Sequence, residues 1–257
     1  MSTLSYIIIF TFLGSIGALL GGIILLANEK IAMKISHLLA SFAAGTLLGA
    51  AFFDLLPEAA HLTEELGMEH ELVFYWTLFG IIIFFILERF IHWFHHHEEH
   101  HQTHEESKST LPLIIISDTA HNFIDGVVIA ATFMVSIPLG MVTTLAVLAH
   151  EIPQEIGDFG LMLHKGMKRR KIILVNLISA AIALIGAMGT YLLGDIIEGL
   201  IPMLLALTAG FFIYIAASDL IPEIHYEKRK GFAQIETALL LLGVFVIYLS
   251  VKLLHHG

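Results

Sequence analysis

Side chains able to ligate a metal recur in two short segments of this chain, His121-Asn122-Phe123-Ile124-Asp125-Gly126 and His150-Glu151-Ile152-Pro153-Gln154-Glu155. Imidazole nitrogens and carboxylate oxygens are the donors that zinc and neighbouring divalent metals take. Both segments lie at the centres of stretches long and apolar enough to cross a membrane, where one carboxylate costs about 2.5–3.5 kcal/mol on insertion scales. Several at one depth imply that they hold something charged. Helical spacing groups them further: His121 and Asp125 are four apart and share a face, as do His150 and Gln154, and Glu151 and Glu155. Neither stretch contains a lysine or arginine to neutralise them, so the missing positive charge is most simply a metal ion. His121, Asp125, His150 and Glu151 are the principal candidate ligands, and Asn122 and Gln154 join them. Glu155 stays open, and Asp118 and Asp158 fit packing or an exit path equally well.

The elements that must carry these residues follow from composition. Of 257 residues, 57% are hydrophobic and 14% charged, and the mean hydropathy is +0.84, which excludes an ordinary soluble domain. About 20 apolar residues cross the hydrocarbon layer. Eight spans are expected: Tyr6–Ala27, Leu38–Leu56, Leu72–Phe94, Leu111–Val135, Leu139–Leu163, Ile172–Leu193, Leu200–Ile221 and Ile235–Leu254. They make one all-α integral membrane domain of residues 1–257 and leave no room for a soluble one. The first span lacks a basic leader and a small-residue cleavage site, so it reads as a retained helix rather than a signal peptide. There are no cysteines, hence no disulfide and no thiolate ligand.

Lysine and arginine set the orientation, because short positive loops stay cytoplasmic. Lys30, Lys34, Arg89, Lys108, Lys165, Lys168, Arg169, Arg170, Lys171, Lys228, Arg229 and Lys230 all fall on one side, leaving Lys252 alone of the 13 on the other. Eight spans with both termini outside, in a cell membrane, satisfy this count. The outer connection after the second span carries Glu58, Glu64, Glu65, Glu69 and Glu71 and no lysine or arginine. It would concentrate cations, or serve as a solvated acidic loop.

An internal repeat links the second and seventh spans. Ala44-Gly45 precedes Asp54-Leu55-Leu56-Pro57-Glu58, and Ala209-Gly210 precedes Asp219-Leu220-Ile221-Pro222-Glu223, with glycine and aspartate nine residues apart in both. The copies must run in opposite directions through the membrane, an inverted repeat of the kind found in alternating-access transporters. Between them lie the fourth and fifth spans, joined by a few residues and therefore antiparallel. At about 1.5 Å rise per residue, His121, Asp125, His150, Glu151 and Gln154 reach one level near the midplane. Pro153 should kink the fifth span and free the carbonyl near Ala149.

Two further features bear on a path. The segment 92–108 holds His92, His95, His96, His97, His100, His101 and His104 among glutamates, compositionally a metal-binding tract. It is expected to be a disordered cytoplasmic loop that receives or senses metal. Asp54 and Glu58 are expected near the outer mouth, and Asp219, Glu223 and His225 near the inner exit, as path or structural residues.

The paired motifs HNFIDG and HEIPQE resemble the signature of the ZIP family of zinc and iron permeases. The resemblance covers the whole chain, including the eight spans and the His-rich segment after the third. It implies a fold of three, two and three helices, with spans 1–3 and 6–8 as inverted repeats around spans 4 and 5. It further implies import of a divalent metal, and His121, Asn122, Asp125, His150, Glu151 and Gln154 fall on the family's ligand positions. Zn2+ is the expected cargo. Many relatives that prefer zinc have histidine where this chain has Gln154, whose carbonyl is a weaker, harder ligand, which leaves Fe2+ or Mn2+ open. Asn176 and Ser179 on the sixth span offer no carboxylate to complete a two-metal site of the kind some relatives have. The expected partners are the metal, the lipid bilayer and, as in many ZIP relatives, a second copy in a homodimer, but no nucleic acid.

The alternative is an intramembrane zinc metalloprotease, since His150-Glu151-x-x-Gln154 is one residue short of H-E-x-x-H. Gln154 in place of the second histidine, Pro153 inside the ligand-bearing turn and the order of the two motifs count against it, so no enzyme is expected.

Overall fold

In this computed structural model, which describes residues 1–96, 111–225 and 232–255, every regular element is a helix. In chain order they are α1 (Thr3–Ala27), α2 (Glu29–Ala50), α3 (Leu56–Glu65), α4 (Glu71–His96), α5 (Leu111–Val135), α6 (Ile137–His164), α7 (Arg169–Leu192), α8 (Gly194–Ile197), α9 (Ile201–Tyr214), α10 (Ile221–His225) and α11 (Phe232–His255). The His-rich tract enters the end of α4 and otherwise lies outside the described residues.

Seven helical stretches among the described residues are long and apolar enough to cross a membrane. The remaining expected span, α6, has the length, at 28 residues or about 42 Å at 1.5 Å per residue, but its centre is more polar than the others. The reason is location. His150, Glu151 and Glu155 of α6 are buried, and the helix packs against α1, α2 and α5, so its polar face meets protein rather than lipid. By contrast Phe74, Leu78, Leu174, Leu192 and Leu241 on outer helices are exposed, the surface expected of a chain whose solvent is hydrocarbon.

Two expected helix ends are not ends. α2 runs through a π-helical segment, Ala51–Leu55, directly into α3, and α9 runs through a second, Ile215–Leu220, into α10. Pro57 and Pro222 follow these segments as early residues of the next helix. A proline has no N–H for the usual i→i−4 bond. A wider i→i−5 turn ahead of it lets the chain stay helical, and such turns mark functional positions in many proteins. Asp54 lies in the first and Asp219 in the second.

The hairpin that carries the two motifs is fixed by its turn. Ser136 accepts a hydrogen bond from the Leu139 N–H at 3.2 Å, with Pro138 in the first turn of α6, so α5 ends and α6 begins within two residues. α6 then continues through Pro153 without interruption. Because Pro153 has no N–H, the Ala149 carbonyl lacks its usual helical donor. Against α7, α5 packs at van der Waals limit: a Cβ at Gly126 would overlap the Ala183 carbonyl, and one at Gly186 the Phe123 carbonyl. Glycine there lets the two backbones approach directly beside the motif, a common device where helices pack in lipid.

Candidate metal centre

His121 and Asp125 project from α5 one turn apart, and His150 and Glu151 are neighbours on α6. All four are buried. Their potential ligand atoms lie within 4.8 Å of one another. The His121 and His150 Nε2 atoms are 3.0 Å apart. Glu151 Oε1 is 3.4 Å from His121 Nε2 and 3.8 Å from His150 Nε2. Asp125 Oδ2 is 3.5 Å from His150 Nε2 and 3.9 Å from His121 Nε2. Tetrahedral zinc with Zn–N of about 2.0–2.1 Å has ligand-to-ligand edges of about 3.3 Å, so these edges need only small adjustments around a central ion.

Orientation of the imidazoles follows from what lies behind them. His150 Nδ1 donates to the Ala146 carbonyl at 3.1 Å, since a carbonyl can only accept. That bond fixes the tautomer and turns the Nε2 lone pair towards the centre, the usual arrangement behind a metal-bound histidine. Phe84 of α4 meets the His121 ring edge-on at 5.8 Å, and Phe212 of α9 lies 6.2 Å from the His150 ring. Phe84 in turn packs on Phe211 and Tyr214, and Tyr214 donates a 2.5 Å hydrogen bond to Glu88. These aromatic walls carry no signature in the sequence, because phenylalanines are spread through seven of the eight expected spans and nothing in their spacing marks those two.

The charge in the centre is one-sided. Asp125 Oδ2 and Glu151 Oε1 are buried without a hydrogen-bond partner among the described residues. Neither α5 nor α6 contains a lysine or arginine. Two carboxylates facing two buried imidazoles could together hold a cation.

The two remaining candidates are placed differently. Asn122 is buried, but its amide nitrogen donates to the Asp118 backbone carbonyl at 3.2 Å, to Asp118 Oδ1 at 3.0 Å and to Ser179 Oγ at 3.2 Å. Its donor end therefore serves α5 and α7. Gln154, one turn beyond His150, is half-buried and makes no hydrogen bond among the described residues. The second imidazole of the centre comes from α5 and not from position 154, so the pair of histidines is not that of an H-E-x-x-H helix.

Residues 2–113 and 112–250 match the family model of the ZIP zinc transporters. The chain belongs to the ZIP zinc transporter family. Among curated ZIP relatives, zinc transporter ZIP13 of Pongo abelii is 32% identical over 239 residues, 88% of this chain and 69% of that protein. Zinc transporter ZIP6 of Homo sapiens is 36% identical over 151 residues, 56% of this chain but 20% of the relative's length. Metal cation symporter ZIP14 of Bos taurus is 36% identical over 136 residues, 51% of this chain and 27% of that protein. This ZIP chain thus spans about a fifth to a quarter of the length of two of these relatives. The two family-model matches meet at residues 112–113, where α5 begins, and the buried His/Asp/Glu cluster follows directly.

Proposed function

We propose that this chain carries Zn2+ inward across the membrane, binding it at His121, Asp125, His150 and Glu151, with Gln154 at the edge of the site and Asn122 behind it. One observation carries this reading: four buried ligand side chains converge with unpartnered oxygens and no basic residue on either helix. Zinc is the cargo named for most of the relatives. The inward direction and outer termini rest on the one-sided distribution of lysine and arginine.

In this reading spans 1–3 and 6–8 are inverted repeats around α5 and α6. Pairings support it: α1 with α6 matches α7 with α5, and α2 with α11 matches α9 with α4. The two π-helical segments, with Asp54 and Asp219, occupy corresponding places. So do Gly45, where a Cβ would overlap the Leu240 carbonyl of α11, and Gly210, where one would overlap the Thr77 carbonyl of α4. Motion of these repeats past the central hairpin would expose the centre to each side in turn.

The test is uptake of radioactive Zn2+ into proteoliposomes with competing Mn2+ and Fe2+. Saturable uptake by wild type that disappears in His121→Ala and Glu151→Ala is expected. Wild type that is folded and takes up no metal under any gradient would sink the proposal.

A further inference from the structure

The connection from α6 to α7 concentrates positive charge. Lys165, Lys168, Arg169, Arg170 and Lys171 fall within residues 165–171, and no aspartate or glutamate occurs from residue 159 to residue 194. The turn is held from beneath. α6 ends with the Gly166 N–H on the Leu163 carbonyl at 2.9 Å and the Met167 N–H on the Met162 carbonyl at 3.0 Å, the paired bonds of a glycine-terminated helix. Gly166 supplies the φ of 81° that this ending needs. Met167 folds back into a buried apolar cluster with Phe159, Met162 and Ile172. α7 then starts at once, the Ile172 N–H donating to the Lys168 carbonyl at 3.1 Å. The basic side chains thus stand on a short, fixed turn, and Lys168, Arg169, Arg170 and Lys171 are exposed.

Their level in the membrane follows from α7. Its 24 residues make about 36 Å at 1.5 Å per residue, against about 30 Å of hydrocarbon. A turn at one end must emerge, and the amino-terminal turn is the basic one. Directly below it Leu174 and Ile178 are each 56% exposed, and Ile173 and Leu177 are exposed beside them. Arg170, Leu174, Leu177 and Ile178 recur at helical spacing and share one face, so Arg170 heads a stripe that meets lipid. Its charge, with those of Lys168 and Lys171, reaches the membrane where acyl chains give way to phosphates, a boundary that long basic side chains suit through their apolar stems.

We propose that Lys168, Arg170 and Lys171, with Lys165 and Arg169 beside them, form a binding surface for the headgroup of an anionic phospholipid in the leaflet where α7 begins. Basic clusters at the end of a membrane helix attract anionic headgroups, and guanidinium and ammonium groups make charge-assisted hydrogen bonds to phosphate oxygens. A free anion would use the charge alone. A lipid also lays its acyl chains along Leu174 and Ile178, so it uses the whole of the exposed face. That this leaflet is the cytoplasmic one rests on the transport reading; the binding surface itself does not.

Native mass spectrometry of the full chain reads the lipids it retains. Protein in detergent is mixed with equal amounts of phosphatidylglycerol and phosphatidylcholine of the same acyl chains, with and without inorganic phosphate at matched ionic strength, and the ratio of the two bound lipids is measured. Wild type is compared with Lys168→Gln/Arg170→Gln/Lys171→Gln and with Lys30→Gln/Lys34→Gln/Arg229→Gln, which removes the same charge elsewhere, each accepted only if monodisperse. Expected is a preference for phosphatidylglycerol in wild type that survives phosphate, persists in the second variant and falls at least about fivefold in the first, the factor for a single base at an anionic surface. No preference in wild type, or an equal fall in both variants, would overturn the surface. So would loss of the preference in phosphate, which would assign the bases to a free anion. Zn2+ uptake by wild type, measured separately, tests the transport reading: its absence would remove that reading, while the lipid ratio still decides the surface.

Discussion

His121 and His150 face each other through their Nε2 atoms at 3.0 Å, although 29 residues separate them in the chain. His150 is turned to this position by its Nδ1 bond to the Ala146 carbonyl, and His121 by the edge of Phe84. Two lone-pair nitrogens this close repel unless a proton or a metal lies between them. With Asp125 and Glu151 alongside, both carrying an unpartnered oxygen, the four side chains could hold a cation.

Removing either imidazole should therefore weaken zinc binding more than loss of a supporting residue, which costs about 10–100-fold. His121→Ala and His150→Ala are each expected to lower Zn2+ affinity by at least that factor, read by competition with a fluorescent zinc chelator on purified protein. Affinity within threefold of wild type in both variants would remove these histidines from the ligand set.

The carboxylates give a prediction of opposite signs. Asp125 brings a buried, unpartnered oxygen to the metal-free protein, and such a group costs about 1–3 kcal/mol. Asp125→Asn should raise the melting temperature without metal, by about 2–4 °C per kcal/mol at this chain length, and shrink the further rise that Zn2+ causes in wild type, because the stabilisation scales with affinity. Thermal melts with and without a chelator measure both. A variant less stable than wild type without metal, yet equally stabilised by Zn2+, would contradict the cage.

Much of this centre was legible because its information is local. His121 and Asp125 share a helix face by spacing alone, and the few residues around Ser136 force α5 and α6 into an antiparallel pair whose levels follow from rise per residue. What stayed hidden depends on the third helix or on a side-chain rotamer. Asn122 has the right position for a ligand, yet Ser179 of α7 and Asp118 hold its amide nitrogen. Phe84 and Phe212 line the site from α4 and α9, and no spacing rule ties those helices to the motifs. Pro57 and Pro222 read as helix ends, because the pattern of residues cannot distinguish a stop from a π turn that carries the helix onward.

Backbone contact between α5 and α7 should control the centre from outside it. Gly126→Val places a side chain against the Ala183 carbonyl, and overpacking of this kind costs about 1–3 kcal/mol or more. Transport should fall severalfold even though every ligand remains. Gly157→Ala, on α6 between Glu155 and Asp158, meets nothing within 4 Å, and alanine is favoured over glycine in a helix by about 1 kcal/mol. It should be as stable as wild type or slightly more so, measured by melting in the same detergent. Equal behaviour of the two variants would show that the close crossing does not position the site.

Position 154 should tune which ion the centre prefers. Gln154 lies one turn from His150, half-buried and free of hydrogen bonds among the described residues, so its side chain can turn towards an ion at little cost. A glutamine carbonyl is a hard oxygen donor, whereas an imidazole suits zinc. Gln154→His should raise the preference for Zn2+ over Mn2+ in competition uptake by about tenfold, which corresponds to about 1.4 kcal/mol, with overall expression unchanged. Gln154→Ala separates the donor from mere space: it should lower Mn2+ competition and leave Zn2+ uptake close to wild type. If neither substitution moves the ratio of the two ions, position 154 lies outside the coordination sphere, and selectivity is set by the two histidines and two carboxylates alone.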